Sequence, residues 1–155
     1  MTWTIAIDGR DHRSNFYNPT ATRFWHHKAM PETKETYRTV TPYLIVPDAD
    51  AELAFLKAAF GATETSCHRN ADNTVMHAEI HVGDSLVMLG QAGGQWGPRT
   101  GAFYLWVDDV DATYARALRA GGRSESEPED KPYGHRNAGV VDQNGITWWI
   151  AAPVR

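Results

Sequence analysis

Apolar and polar positions along residues 40–150 form two series that repeat at an offset of 61 residues. Thr41 to Val46 reads as a strand, with Pro42 near its start, where strands tolerate proline. Asp48 and Asp50 then mark a helix N-terminus, where carboxylates cap N–H groups and oppose the dipole. Leu53, Leu56, Lys57 and Phe60 follow at helical spacing, and Gly61 ends the run. Three strands are predicted next, over 64–69, 75–82 and 85–90, the last two joined by Gly83-Asp84. Adding 61 to Ile45-Val46-Pro47-Asp48-Ala49-Asp50-Ala51 gives Trp106-Val107-Asp108-Asp109-Val110-Asp111-Ala112, again a strand end running into an acid-capped helix. Gly61 lands on Gly122, and Leu86-Val87-Met88-Leu89 lands on Thr147-Trp148-Trp149-Ile150. The second series therefore predicts a strand over 102–107, a helix over 110–120, and strands over 137–141 and 147–151. The acidic stretch Glu125 to Lys131 is expected to be a loop around a short strand.

The fold class is α+β: two βαβββ modules in tandem behind an N-terminal arm. The boundaries are 1–38 for the arm, 39–92 for the first module, 93–100 for a Gly- and Pro-containing linker, and 101–155 for the second module. In the arm, Trp3, Ile5 and Ile7 alternate toward Asp8-Gly9 as a short strand and turn. Phe16-Tyr17 and Phe24-Trp25 are aromatic islands that need cover, which points to a homodimer with two-fold symmetry. Composition narrows the partners. The net charge of -4 and the scattered Lys and Arg leave no basic stripe for nucleic acid. No stretch approaches the ~20 apolar residues of a membrane span. Met1–Asp8 lacks the basic flank and apolar core of a signal peptide, so the expected location is cytoplasmic. The single cysteine, Cys67, excludes an intrachain disulfide and a cysteine-based zinc site.

Several segments carry a family resemblance. They are Thr41–Asp48, Ala59-Phe60-Gly61-Ala62, Val75–Glu79, Tyr104–Ala112, and the hairpin from Tyr133 to Gly145 continuing through Trp148–Ala151. Together they resemble the vicinal oxygen chelate superfamily of glyoxalase I, bleomycin-resistance proteins and extradiol dioxygenases, in its glyoxalase-like branch. The resemblance implies paired modules whose sheets curl around a cleft. Metal ligands, where members hold them, stand on the first and last strands of each module. Those positions fall here on Thr41, Met88, Ala102 and Trp149, which offer neither imidazole nor carboxylate. No metal site and no cofactor are therefore expected, and a divalent ion enters only if its site is displaced from the family positions.

Strand alternation then says what lines the cleft instead. Residues in phase with Thr41 are Tyr43, Ile45, Ala102, Tyr104 and Trp106, joined by Leu86, Met88, Thr147, Trp149 and Ala151 from the last strands. This set suits a flat or apolar ligand held by stacking, or else fills a closed core or a dimer interface. The candidate ligand-binding residues are Tyr43, Met88, Tyr104, Trp106 and Trp149, with Arg136 as a clamp for an anionic group. For Arg136 the competing role is a surface salt bridge to Glu127, Glu129 or Asp130. His77, Glu79 and His81 alternate on one strand face. A single ion cannot easily join His77 to His81 across roughly 13 Å, so His77 and Glu79 remain as an acid–base pair or as a polar face. His26-His27 is expected to serve the arm.

The expected function is small-molecule binding or sequestration in an aromatic cleft, without metal. The alternative is an enzyme of the superfamily, a lyase, isomerase or dioxygenase, using a displaced metal or His/Glu acid–base chemistry.

Overall fold

The computed structural model describes residues 37–154. The predicted arm strand, the aromatic islands and His26-His27 lie outside the described residues. The first module runs β1 (Tyr43–Val46), α1 (Ala49–Phe60), β2 (Thr63–Arg69), β3 (Val75–Val82) and β4 (Ser85–Gln91). The second runs β5 (Ala102–Trp106), α2 (Val110–Arg119), β6 (Arg123–Asp130), β7 (His135–Val141) and β8 (Thr147–Pro153). Each module is a four-stranded mixed sheet, ordered β1-β4-β3-β2 and β5-β8-β7-β6. In both, the first strand lies parallel to the last and the other neighbours are antiparallel.

The acidic helix entries are true caps. The Asp48 carboxylate accepts from Ala51 N at 2.9 Å, and Asp109 accepts from Ala112 N at 2.9 Å. The C-termini differ by one residue from the 61-residue register. Gly61 takes the left-handed conformation after α1 (φ 66°), but after α2 it is Gly121 (φ 99°), not Gly122, that turns the chain. Gly122 serves close packing instead. A Cβ there would collide with Val140 Cγ1 and stand 3.1 Å from Phe55 of α1.

The acidic stretch also departs from expectation, since Arg123–Asp130 is a full edge strand. Its pairing with β7 shifts register between Ser124 and Ser126 and again between Ser126 and Glu129, which lets Pro128 into the ladder. Its charges suit an edge that must not recruit further strands. β7 begins at His135, two residues before the expected start at Asn137.

One face of each sheet packs on its helix and holds the core: Leu44, Val46, Leu89, Val140, Trp148 and Ile150 are buried there. Helix α1 packs on α2, joining the modules. The β7–β8 turn fastens this joint. The Asn144 side chain accepts from Asp48 N (2.9 Å) and donates to Asp48 O (2.9 Å) and to Glu52 Oε2 (2.8 Å). Glu52 is fully buried on α1, and its Oε1 has no donor partner. Beside it, Asp142 already accepts from Asn144 N, Ile146 N and Trp148 Nε1 at 2.9, 3.0 and 2.8 Å. Burial first, and the Asp142 charge second, push the Glu52 carboxyl up to about 8. A proton on Glu52 is what lets two carboxyls share this buried place.

Candidate functional site

The strand register brings together the residues that alternation assigned to one face. Tyr43 stands beside Met88, Tyr104 beside Trp149, and Trp106 beside Ala151. All lie on the face away from the helix, here called the open face. The rings there are not core filler: Tyr43, Tyr104 and Trp106 are 46%, 47% and 54% exposed. Met88 and Trp149 are half-buried beneath them.

On the first sheet, β3 adds His77 and Glu79, with Glu79 opposite Met88. Glu79 is buried rather than solvated, at 9% exposure. Its Oε1 accepts from the Tyr37 hydroxyl at 2.9 Å and lies 3.4 Å from His77 Nε2. His77 Nδ1 in turn lies 3.3 Å from the Tyr43 hydroxyl, with the two rings 5.6 Å apart. In the tautomer with its hydrogen on Nε2, the His77 ring donates to Glu79 and its Nδ1 accepts from Tyr43. Burial raises the Tyr43 phenol above its ordinary value, so the hydroxyl stays protonated as that donor. Gly90 makes room for this arrangement, since a Cβ there would stand 3.2 Å from the Tyr43 oxygen and 2.9 Å from Met76 O. Tyr37 was absent from the sequence-derived site because it precedes the first predicted strand. His81 faces the same side near Thr63 and Leu86, outside this chain of contacts.

On the second sheet, His135 takes the place of the polar partner. Its Nδ1 lies 3.4 Å from the Tyr104 hydroxyl, and its ring meets Trp106 edge-on at 4.7 Å and Tyr133 at 5.3 Å. Trp106 also meets Tyr104 edge-on at 5.5 Å. The result is an exposed aromatic cluster around one imidazole.

Arg136 is not part of it. Opposite Ala152 in the register, it lies on the helix side of the sheet. There it grips Asp111 of α2 through Nε and Nη2 (2.6 and 2.8 Å) and Asp130 through Nη1 (2.9 Å). These bonds hold the Asp111 carboxyl below its ordinary value and the guanidinium above its own. Of the expected salt-bridge partners only Asp130 is used, and Asp111 is added to it. One-residue alternation separates Arg136 from His135 and sends it to the opposite face.

The metal positions can be weighed on the same geometry. Met88 beside Tyr43 and Trp149 beside Tyr104 supply neither imidazole nor carboxylate, and Ala102 supplies no donor. Thr41 spends its hydroxyl on Arg38 O. Among the described residues no group of three His, Cys, Asp or Glu side chains could hold an ion. The donor set does not fit a divalent metal. A second concavity, of about 670 Å³, lies where the modules meet on the helix side. Phe60, Val87, Phe103, Leu105 and Trp148 line it, with Arg116 at the rim. None of the sequence-derived candidates except Tyr104 and Trp106 borders it.

Comparison with known proteins agrees with this architecture. An uncharacterized protein of Mycobacterium bovis is 32% identical, with 75% of this chain and 84% of that protein aligned. The crystal structure of TioX from Micromonospora sp. ML1 superposes with a TM-score of 0.66 at 26% identity, over 76% of this chain and all of TioX. The fosfomycin resistance protein FosX from Mesorhizobium loti shares the fold, with a TM-score of 0.56 at 17% identity over 76% of this chain and 92% of FosX. Residues 36–150 match the family model of the glyoxalase/bleomycin resistance protein/dioxygenase superfamily, and the chain belongs to that superfamily.

Proposed function

We propose that this protein binds flat small molecules on the open faces of its two sheets, by stacking and without a metal ion, and so sequesters or carries them. The observation that carries this is the exposure of Tyr43, Tyr104 and Trp106 on faces whose neighbours are Met88, Trp149 and histidine. Bare rings of this size in a water-facing position gain stacking and desolvation energy when a planar ligand covers them. The fold is one that, in the superfamily, serves small-molecule ligands. The donor set argues for metal independence, since the strand positions that would ligate an ion hold Thr, Met, Ala and Trp. The protein is further proposed to work in the cytoplasm as a homodimer, in which a second copy would close each open face. Trp106→Ala tests the proposal. The expected result is loss of affinity for aromatic ligands in a fluorescence or calorimetric titration, with the melting temperature within a few degrees of wild type. Intact binding, or a collapsed fold, would refute it.

A second function has its own observation, the Tyr37–Glu79–His77–Tyr43 hydrogen-bond chain. A buried carboxylate that orients an imidazole against a half-exposed hydroxyl suits metal-free proton transfer, with Tyr43 facing the ligand. In that case Glu79→Gln, which keeps the shape but weakens the acceptor for His77, lowers turnover while ligand affinity stays unchanged. Equal losses of both would point to structural damage instead.

A further inference from the structure

We infer that the cavity on the helix side, where the two modules meet, is a second binding site, for a small aromatic compound that carries a positively charged amine. Of the rings on the stacking faces it shares only Tyr104 and Trp106, and otherwise it opens on the other side of the sheets. Its volume of about 670 Å³ is that of a site for a drug-sized molecule. β5 is the outermost strand of its sheet, and every residue from Phe103 to Asp109 borders the cavity, so the free edge of β5 forms a wall. Phe60, at the end of α1, and the β3–β4 turn at Gly83-Asp84 come from the first module. Ring surface is within reach of a ligand here. Tyr104 and Trp106 are 47% and 54% exposed, and Phe60 and Phe103 are half-buried. Trp148, itself buried, packs on Phe60 and on Phe103 with ring centroids 5.1 Å apart in each pair. Its indole N–H is spent on Asp142, so it props the two rings and offers a ligand no donor.

Charge decides which aromatic compound fits. The ionised groups of the lining are the carboxylates of Asp84, Asp108 and Asp109 against the single guanidinium of Arg116. Arg116 is turned back on the protein, with Nε donating to Ala59 O at 3.3 Å and Nη2 to Thr113 Oγ1 at 2.8 Å. Asp84 is exposed and accepts only from the neighbouring Ser85 hydroxyl, at 2.9 Å. Asp109 caps α2 through Ala112 N. Neither of these two meets a lysine or arginine among the described residues. A cation entering this mouth gains from the carboxylates. Once inside it gains from the faces of the rings, which attract positive charge most strongly where water is displaced. A carboxylate would meet an excess of its own sign, and an uncharged ring would gain the packing alone.

The test is a titration of the isotope-labelled full chain, followed by amide NMR shifts, with naphthylmethylamine, naphthylmethanol and naphthoate. These probes share a ring system and differ in charge. The expected result is saturable shifts from the amine at Gly83, Asp84, Ser85 and Thr113, at least about fivefold tighter than the alcohol, with naphthoate weakest. Raising the salt concentration narrows that preference. Asp84→Asn weakens the amine about two- to fivefold, leaves the alcohol unchanged, and keeps the wild-type melting temperature because the side chain is exposed. Equal affinity for amine and alcohol at these amides would overturn the inference, as would an Asp84→Asn variant with wild-type affinity for the amine. Preference for naphthoate would refute it by showing that Arg116 governs the site. Shifts confined to Tyr43, His77 and Met88 would refute it and leave the stacking function standing. Shifts at neither place would overturn both.

Discussion

Glu52→Gln is the perturbation whose size follows most directly from the structure. The folded protein holds the Glu52 proton up to about pH 8, whereas an exposed glutamate releases it near 4.5. Between those values the folded state carries a proton that the unfolded chain has lost. Stability is therefore fully present below about pH 4.5, falls as pH rises, and has lost this contribution above about pH 8. One proton costs about 1.4 kcal/mol per pH unit, so moving from pH 5 to pH 7 removes on the order of 3 kcal/mol. That is an upper bound, because Asp142 faces the same proton and shares it. Asn144, which donates to Glu52 Oε2, carries no titrating charge. Glutamine keeps the acceptor for Asn144 and offers Asp142 a permanent N–H, so the variant should lose this slope and outlast wild type at pH 8. Urea unfolding at pH 5, 6, 7 and 8 measures it. The variant-minus-wild-type difference cancels the titrating groups that are not coupled to Glu52, and a constant m-value certifies that the same transition is compared. A variant with the wild-type slope, or one less stable than wild type at pH 8, would refute the shared-proton joint. The acid-side carboxylates do not confuse this window. Asp50 and Asp111 are held low by Arg69 and Arg136, so their contributions vanish only as pH falls below the ordinary aspartate range.

Arg136→Ala should leave the melting temperature nearly unchanged, since its ion pairs are exposed. It should leave ligand affinity unchanged, because Arg136 lies on the helix side; a large affinity loss in the same titration would return it to the site. Gly139→Ala should cost about 1–3 kcal/mol in thermal unfolding, as the new methyl forces the Trp149 ring off its place. It should also weaken the binding of flat ligands, and a neutral effect on both would show that Trp149 does not rest on that glycine.

Much of this arrangement was written locally. Asp48 and Asp109 announce their helices through their own side chains, and two-residue alternation places Tyr43, Met88, Tyr104, Trp106 and Trp149 on one face. What could not be read is non-local. Ser124–Asp130 has no apolar alternation, and only its pairing with β7 makes it a strand. Glu52 looks like an ordinary first-turn charge, yet it is buried by Asn144, a residue 92 positions away. Arg136 reads from sequence as either a clamp or a salt-bridge residue, because the strand pattern is legible only from Asn137 and not from His135, which leaves its face open. The same late start hid His135 as the partner of Tyr104 and Trp106.

The most direct test of the central claim is a fluorescence titration of metal-stripped protein with a panel of flat aromatic compounds, repeated after adding back zinc and manganese. Saturable binding that is indifferent to metal, and lost in Trp106→Ala, is the result the proposed function predicts. Binding that appears only once metal is restored would contradict it.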